Sequence, residues 1–144
     1  MATVTTLAPQ APQAATRAAL RTALRVGWFA AAVFWTVLAV REGVHHGWPA
    51  ATAALLFALA PDLALFVGLS EAPRTARGQL PPRAVPYYNA AHRALVPLAL
   101  LAVHALAPLT WPPVLAALCG WLAHISYDRA FGYGPRTKEG FQRG

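Results

Sequence analysis

Charged residues divide this chain into long apolar runs. Residues 26–40, 43–61 and 94–127 contain no Asp, Glu, Lys or Arg. None of these runs shows the alternation of apolar and charged faces that a surface helix of a soluble protein carries, so each reads as a helix that is hydrophobic all round. A helix crossing a bilayer needs about 20 apolar residues, within a range of about 17–25. The runs predict four helices, at about 26–40, 48–69, 91–109 and 111–128. The first is short, but flanking Arg25 and Arg41 can snorkel and lengthen it. The 34-residue uncharged stretch 94–127 overruns one crossing, and Pro112 and Pro113 in "APLTWPP" suit the opening of a new helix, so the stretch divides there. The expected fold is all-α: a four-helix transmembrane bundle.

Ahead of these runs, residues 1–13, "MATVTTLAPQAPQ", lack periodicity and read as a disordered tail. The remainder, 14–144, reads as a single membrane domain. Arg17, Arg21 and Arg25 recur every fourth residue among Ala and Leu, which predicts a short amphipathic N-terminal helix on the membrane surface. The first apolar run is not a cleavable signal, because some two dozen residues precede it and Arg41 and Glu42 follow it directly.

Composition agrees with the pattern. With 57% hydrophobic and 12% charged residues, the chain has too few charges to coat a soluble surface. The net charge of +7 invites a nucleic-acid reading, but the basic residues sit at the ends of apolar runs and no aromatics interleave with them. No nucleic acid is expected; the partner is a lipid bilayer with anionic headgroups. Basic residues also set orientation. Arg17, Arg21 and Arg25 precede helix one, Arg74, Arg77 and Arg83 lie between helices two and three, and Arg129, Arg136, Lys138 and Arg143 follow helix four. Both termini are therefore expected on the cytoplasmic side of a bacterial inner membrane, with Trp48 and Trp111 at the outer interface. Arginine takes nearly every basic position, a usage typical of GC-rich bacterial genomes. Cys119 is the single cysteine, so no intrachain disulfide can form.

Small residues are the natural packing surface of helices in lipid, since lipid tails are as apolar as leucine. Ala54 and Ala58 mark such a stripe on helix two, and its next position is Asp62. Ala116 and Gly120 mark one on helix four, followed by His124 and Asp128. His92 opens helix three from the same side. A carboxylate inside a bilayer costs at least about 2.5 kcal/mol unless it is partnered. Asp62, His92, His124 and Asp128 are therefore expected to meet at one level in the cytoplasmic half, and Pro61 should bend helix two beside Asp62. His124 and Asp128, four apart, can reach one ion. With His92 and Asp62 they form a mixed nitrogen and oxygen set suited to a divalent zinc, manganese or iron ion. His45 and His46 read as outer-loop residues, and His104 as a packing or hydrogen-bonding residue away from the set. Gly132, Tyr133, Gly134 and Pro135 read as a helix stop.

The segments "YNAAHRALVPL" and "WLAHISYDRAFGYG", with a "GF" near the end, resemble a family of small bacterial integral membrane proteins known as domain of unknown function 4260. The resemblance runs from about Val26 to Phe141 and implies a four-helix membrane protein. Its recurring polar positions fall on Asp62, Tyr88, Asn89, His92, His124, Asp128, Arg129, Gly132, Tyr133 and Gly134. It implies no activity. Pro135 stands where a leucine is common, and Gln142, Arg143 and Gly144 stand where members often continue to a Thr-His-Leu-Gly. Any role of that terminal histidine is thus expected to be absent or replaced.

Three functions fit. The polar cluster, supported by Tyr88, Asn89, Arg129 and Tyr133, can hydrogen-bond across helices in a structural or accessory protein with a membrane partner. Alternatively, a metal held by Asp62, His92, His124 and Asp128 makes a membrane hydrolase acting on a lipid-borne ester, phosphoester or amide. The third function is a transporter or proton relay, which four helices without a repeat could supply only as a homo-oligomer.

Overall fold

A computed structural model describes residues 11–106 and 111–143. Among these residues the chain is helical apart from turns and one isolated antiparallel bridge, Arg136 to Gln142. Helix α1 is Ala11–His46, α2 Trp48–Leu59, α3 Val85–Ala91, α4 Leu95–Leu106 and α5 Pro112–Phe131. Two 3-10 helices, Ala60–Phe66 and Leu69–Arg74, follow α2.

Proline sets most of these starts. It needs no amide partner in a first turn, and Pro49, Pro61, Pro86 and Pro112 open α2, the first 3-10 helix, α3 and α5. Pro97 does the same within the first turn of α4.

The predicted boundaries need correction. The surface helix and the run 26–40 are one continuous helix of 36 residues, because nothing between Arg17 and Val26 breaks it: alanine, leucine and arginine are all strong helix formers. Residues 11–13 belong to this helix and not to a disordered tail, while residues 1–10 lie outside the described region. Arg41, Glu42, His45 and His46 are likewise helical and form no outer loop. Gly47 alone links α1 to α2, at a φ of 75° that suits glycine. Nearby, a Cβ on Gly43 would stand 3.1 Å from Ala51 Cβ, so the hairpin closes through small residues.

The segment 48–69 is not one α-helix. Pro61 cannot donate to the Phe57 carbonyl, and the backbone tightens into 3-10 geometry from Ala60. Nor is 91–109 a single helix: α3 and α4 meet at an angle of 41°, with His92 at the C-terminal end of α3 rather than opening the next helix. Trp121 Nε1 donates to the Ala91 carbonyl at 2.7 Å, satisfying a group that the break releases. Residues 107–109, the end predicted for that helix, and the turn at 107–110 lie outside the described region. The last helix runs three residues past 128, to Phe131.

Two helices are long and apolar enough to cross a membrane, Gln13–His46 and Trp48–Phe66, and the bent pair α3 and α4 makes a third if counted as one span. Helix α5 is different in kind. It packs against α1, α2, α4 and the first 3-10 helix, and Ala116 to Gly120 are buried in succession. Its other contacts give its direction. Arg25 of α1 lies against Gly132, Phe29 meets Tyr127 edge-on, and the Thr36 hydroxyl stands 3.4 Å from the Tyr127 hydroxyl, so α1 and α5 run antiparallel. Ala54 meets Gly120 and Phe57 meets Trp121, so α2 runs parallel to α5.

The helix stop after α5 is a Schellman turn. Gly132 at φ 88° donates to the Arg129 carbonyl and Tyr133 N–H donates to the Asp128 carbonyl at 2.7 Å. The chain then folds back over the segment before α3. Leu80 N–H donates to the Gly140 carbonyl at 2.9 Å, and Gln79 donates to the Glu139 carbonyl at 2.7 Å.

Candidate metal centre

Three chain segments deliver the candidate donors to one place: the first 3-10 helix brings Asp62, the end of α3 brings His92, and α5 brings His124 and Asp128. His92 Nε2 and His124 Nε2 are 3.2 Å apart. Asp128 Oδ2 stands 3.3 Å from His92 Nε2 and 3.8 Å from His124 Nε2. Asp62 Oδ1 stands 3.7 Å from both. Donor atoms of Asp62, His92 and His124 all lie within 4.8 Å of one another; Asp128 joins this trio through the histidines.

The proton inventory is informative. His92 Nδ1 lies 2.9 Å from the Tyr88 carbonyl oxygen, which can only accept, so Nδ1 carries a hydrogen. In the neutral ring Nε2 is then a lone pair aimed at the cluster. The facing oxygens of Asp62 and Asp128 are carboxyl acceptors as well. His124 Nε2 can supply one hydrogen at most. With both rings neutral, three acceptors and at most one donor thus converge within 3.2–3.8 Å, a set that either a bound cation or a proton on an imidazole would reconcile. A carbonyl that fixes the tautomer of a histidine from behind is the usual support of a metal ligand.

His92 is held tightly. It is 1% exposed, its ring stacks on Tyr88 at 3.8 Å, and Arg129 Nη2 donates to its carbonyl at 3.4 Å. Asp62 is the open side of the cluster, with 49% of its side chain exposed.

The supporting residues divide. Tyr88 and Arg129 touch His92. Asn89 serves the backbone instead: its Oδ1 accepts from Arg136 N–H at 2.6 Å and its Nδ2 donates to the Arg136 carbonyl at 3.0 Å. The adjacent Tyr88 ring lies beneath the Arg136 guanidinium, 5.5 Å away. Tyr133 is not in the cluster. Its side chain is exposed, and its amide contributes to the Schellman turn. His104 is outside the trio, with Nδ1 buried and without a hydrogen-bond partner among the described residues. His46 pairs with Glu42 at 3.4 Å, far along α1. Sequence reasoning missed Trp121, which secures the break beside His92. Its signal was a position one turn before His124.

Removing the Asn89 clamp should be measurable. Asn89→Ala leaves the Arg136 amide without its partner and is expected to cost about 1–3 kcal/mol. Hydrogen exchange should quicken across residues 135–142 while the amides of α5 stay protected. Unchanged exchange in the C-terminal segment would remove this role.

These features define a class: an all-helical protein with helices of membrane-spanning length and composition, and a histidine and aspartate cluster where three chain segments meet. The chain belongs to the family described as domain of unknown function (DUF4260), whose model matches residues 21–144. No curated protein and no solved structure matches it.

Proposed function

We propose that the protein is an inner-membrane metalloprotein, crossing four times with both termini cytoplasmic, whose ion is held by His92, His124, Asp62 and Asp128. The observation that carries the proposal is the pair of imidazole nitrogens 3.2 Å apart, flanked by carboxylate oxygens at 3.3–3.8 Å. A tetrahedron of ligands about 2.0–2.1 Å from zinc has edges of about 3.3 Å, near the separations of the two histidines from each other and from each carboxylate, while Asp62 and Asp128 must draw together to share the ion. Two carboxylates and two neutral imidazoles would also be neutralised by one divalent ion, which suits a site at membrane depth. An ion there supplies Lewis acidity and an acidified water, the chemistry of ester and phosphoester hydrolysis. The half-exposed Asp62 leaves a side from which a lipid-borne group can approach.

The orientation rests on the basic segments. Arg25 against Gly132, and Arg136 Nη1 donating to the Gly78 carbonyl at 3.1 Å, bring three basic stretches to the cluster's end of the bundle. Such stretches remain on the cytoplasmic side. In this topology α5 is the fourth crossing, shielded from lipid by the others.

A second function draws on the same contact. His124 Nε2–H donating to His92 Nε2, with the adjacent carboxylates, makes a metal-free hydrogen-bond network of a structural protein or a proton relay. Elemental analysis of the purified full-length protein separates the two. The metalloprotein holds one equivalent of a transition metal, and its cobalt(II) form shows the intense visible bands of a four-coordinate site. Protein purified without chelators that neither contains nor takes up metal sinks the proposal.

A further inference from the structure

A groove of about 760 Å³ runs between α1, α2 and α5 and ends at the cluster. Its walls are mostly small or aliphatic, including Ala39, Gly43, Ala51, Ala54 and Ala58, and its polar groups gather at one end, where His124, Tyr127 and Asp128 line it. Phe131 closes that end of the lining, and one residue further on, Gly132 lies under the Arg25 guanidinium. We infer that this groove binds the chain of a single-chain anionic lipid, with its carboxylate or phosphate head at the His124 and Asp128 end beside Arg25. The inference rests on the metal-site proposal for what happens to the head, but the groove exists without it.

Three features select this occupant. The groove follows α5 from Gly120 to Phe131, about 16 Å by helical rise, a length that suits an extended hydrocarbon chain. Its side toward α1 and α2 is formed by helices apolar enough to face lipid, so a chain can enter laterally from the bilayer. Just past its polar end the Arg25 guanidinium stands against Gly132, one turn beyond Asp128, and with the proposed ion offsetting the Asp128 carboxylate it favours an anionic head over a neutral one. An aliphatic chain in an apolar groove gains little over lipid by burial alone, so the head contacts must supply the selectivity.

The test uses the full-length protein in neutral detergent with a diazirine-bearing palmitate as photoprobe. Label is expected on peptides covering residues 36–58 and 120–131. Ala58→Phe and Val40→Trp place bulk in the groove, and each should reduce labelling at least about fivefold while metal content stays at the wild-type level. Val40 is already exposed, so the tryptophan variant folds even where the phenylalanine variant does not. Arg25→Gln should weaken competition by unlabelled palmitate but leave competition by its methyl ester unchanged. Palmitate set against dodecyl phosphate as competitors tells a carboxylate from a phosphate head. His92→Ala, which is outside the groove lining, should lose metal and keep the label. Failure of the metal site and failure of the groove therefore give different results. Label spread evenly onto the exposed face of α4, or undiminished in both filled variants, overturns the inference.

Discussion

Replacing His124 with alanine is expected to lower metal affinity at least about 100-fold. Changes to groups merely supporting a ligand already cost 10–100-fold, and His124 is a proposed ligand itself. Its loss leaves His92 Nε2 facing two carboxylates, with no second nitrogen at 3.2 Å. The fold should survive, because α5 is held by Ala116 to Gly120 and Ile125 and not by the imidazole. Competition with a chromophoric chelator measures the drop, and helical circular dichroism checks the fold. Equal metal content in wild type and His124→Ala would end the metal proposal. Tyr88→Phe makes a useful contrast. It removes only a hydroxyl and keeps both the carbonyl that fixes His92 and the ring stacked upon it, so metal affinity should change far less.

The largest expected effect on stability falls at Gly120. A Cβ there would stand 2.1 Å from the Ala54 carbonyl oxygen and 2.9 Å from its carbon, which are backbone atoms of a neighbouring helix and cannot rotate aside. Gly120→Ala therefore forces α2 away from α5. Overpacking of this kind typically costs 1–3 kcal/mol, and here about 3 kcal/mol is expected because the opposing group is rigid. Gly120→Val should cost more and reduce the yield of folded protein. Thermal melting in detergent measures both. An alanine variant that melts with the wild type would show that the two helices are not in contact. The same displacement moves Asp62 relative to His124, so metal affinity should fall with stability, although Gly120 touches no donor.

Much of this architecture was legible in the residues. The stripes Ala54 to Asp62 and Gly120 to Asp128 identified the faces that meet, because only small residues allow the close approach seen at Gly120. The same stripes brought Asp62 toward His124, and the depth argument brought His92 to them. What failed were the places where local signals compete. Arg41 and Glu42 looked like a loop because charge interrupts an apolar run, but both are helix-compatible, and Glu42 is buried with His46 as its partner. Pro61 announced a bend, but not that the chain would answer the missing amide by tightening into 3-10 geometry as far as Phe66. Tyr133 looked like a cluster member by proximity in sequence to Asp128. The left-handed turn at Gly132 sends its side chain outward instead. Asn89 was singled out, but its partner is backbone 47 residues away, and no spacing rule reaches that far.

Helix α5, around which the others are arranged, is the last of the described helices to leave the ribosome. During most of synthesis α1, α2 and α4 lack the helix they pack against, and Ala54 has no Gly120 to meet. His124 and Asp128 of α5 arrive only at the end, so the cluster cannot assemble before the last helix is made. A message truncated before Pro112 would leave the earlier helices without their centre, the kind of product that quality-control proteases clear.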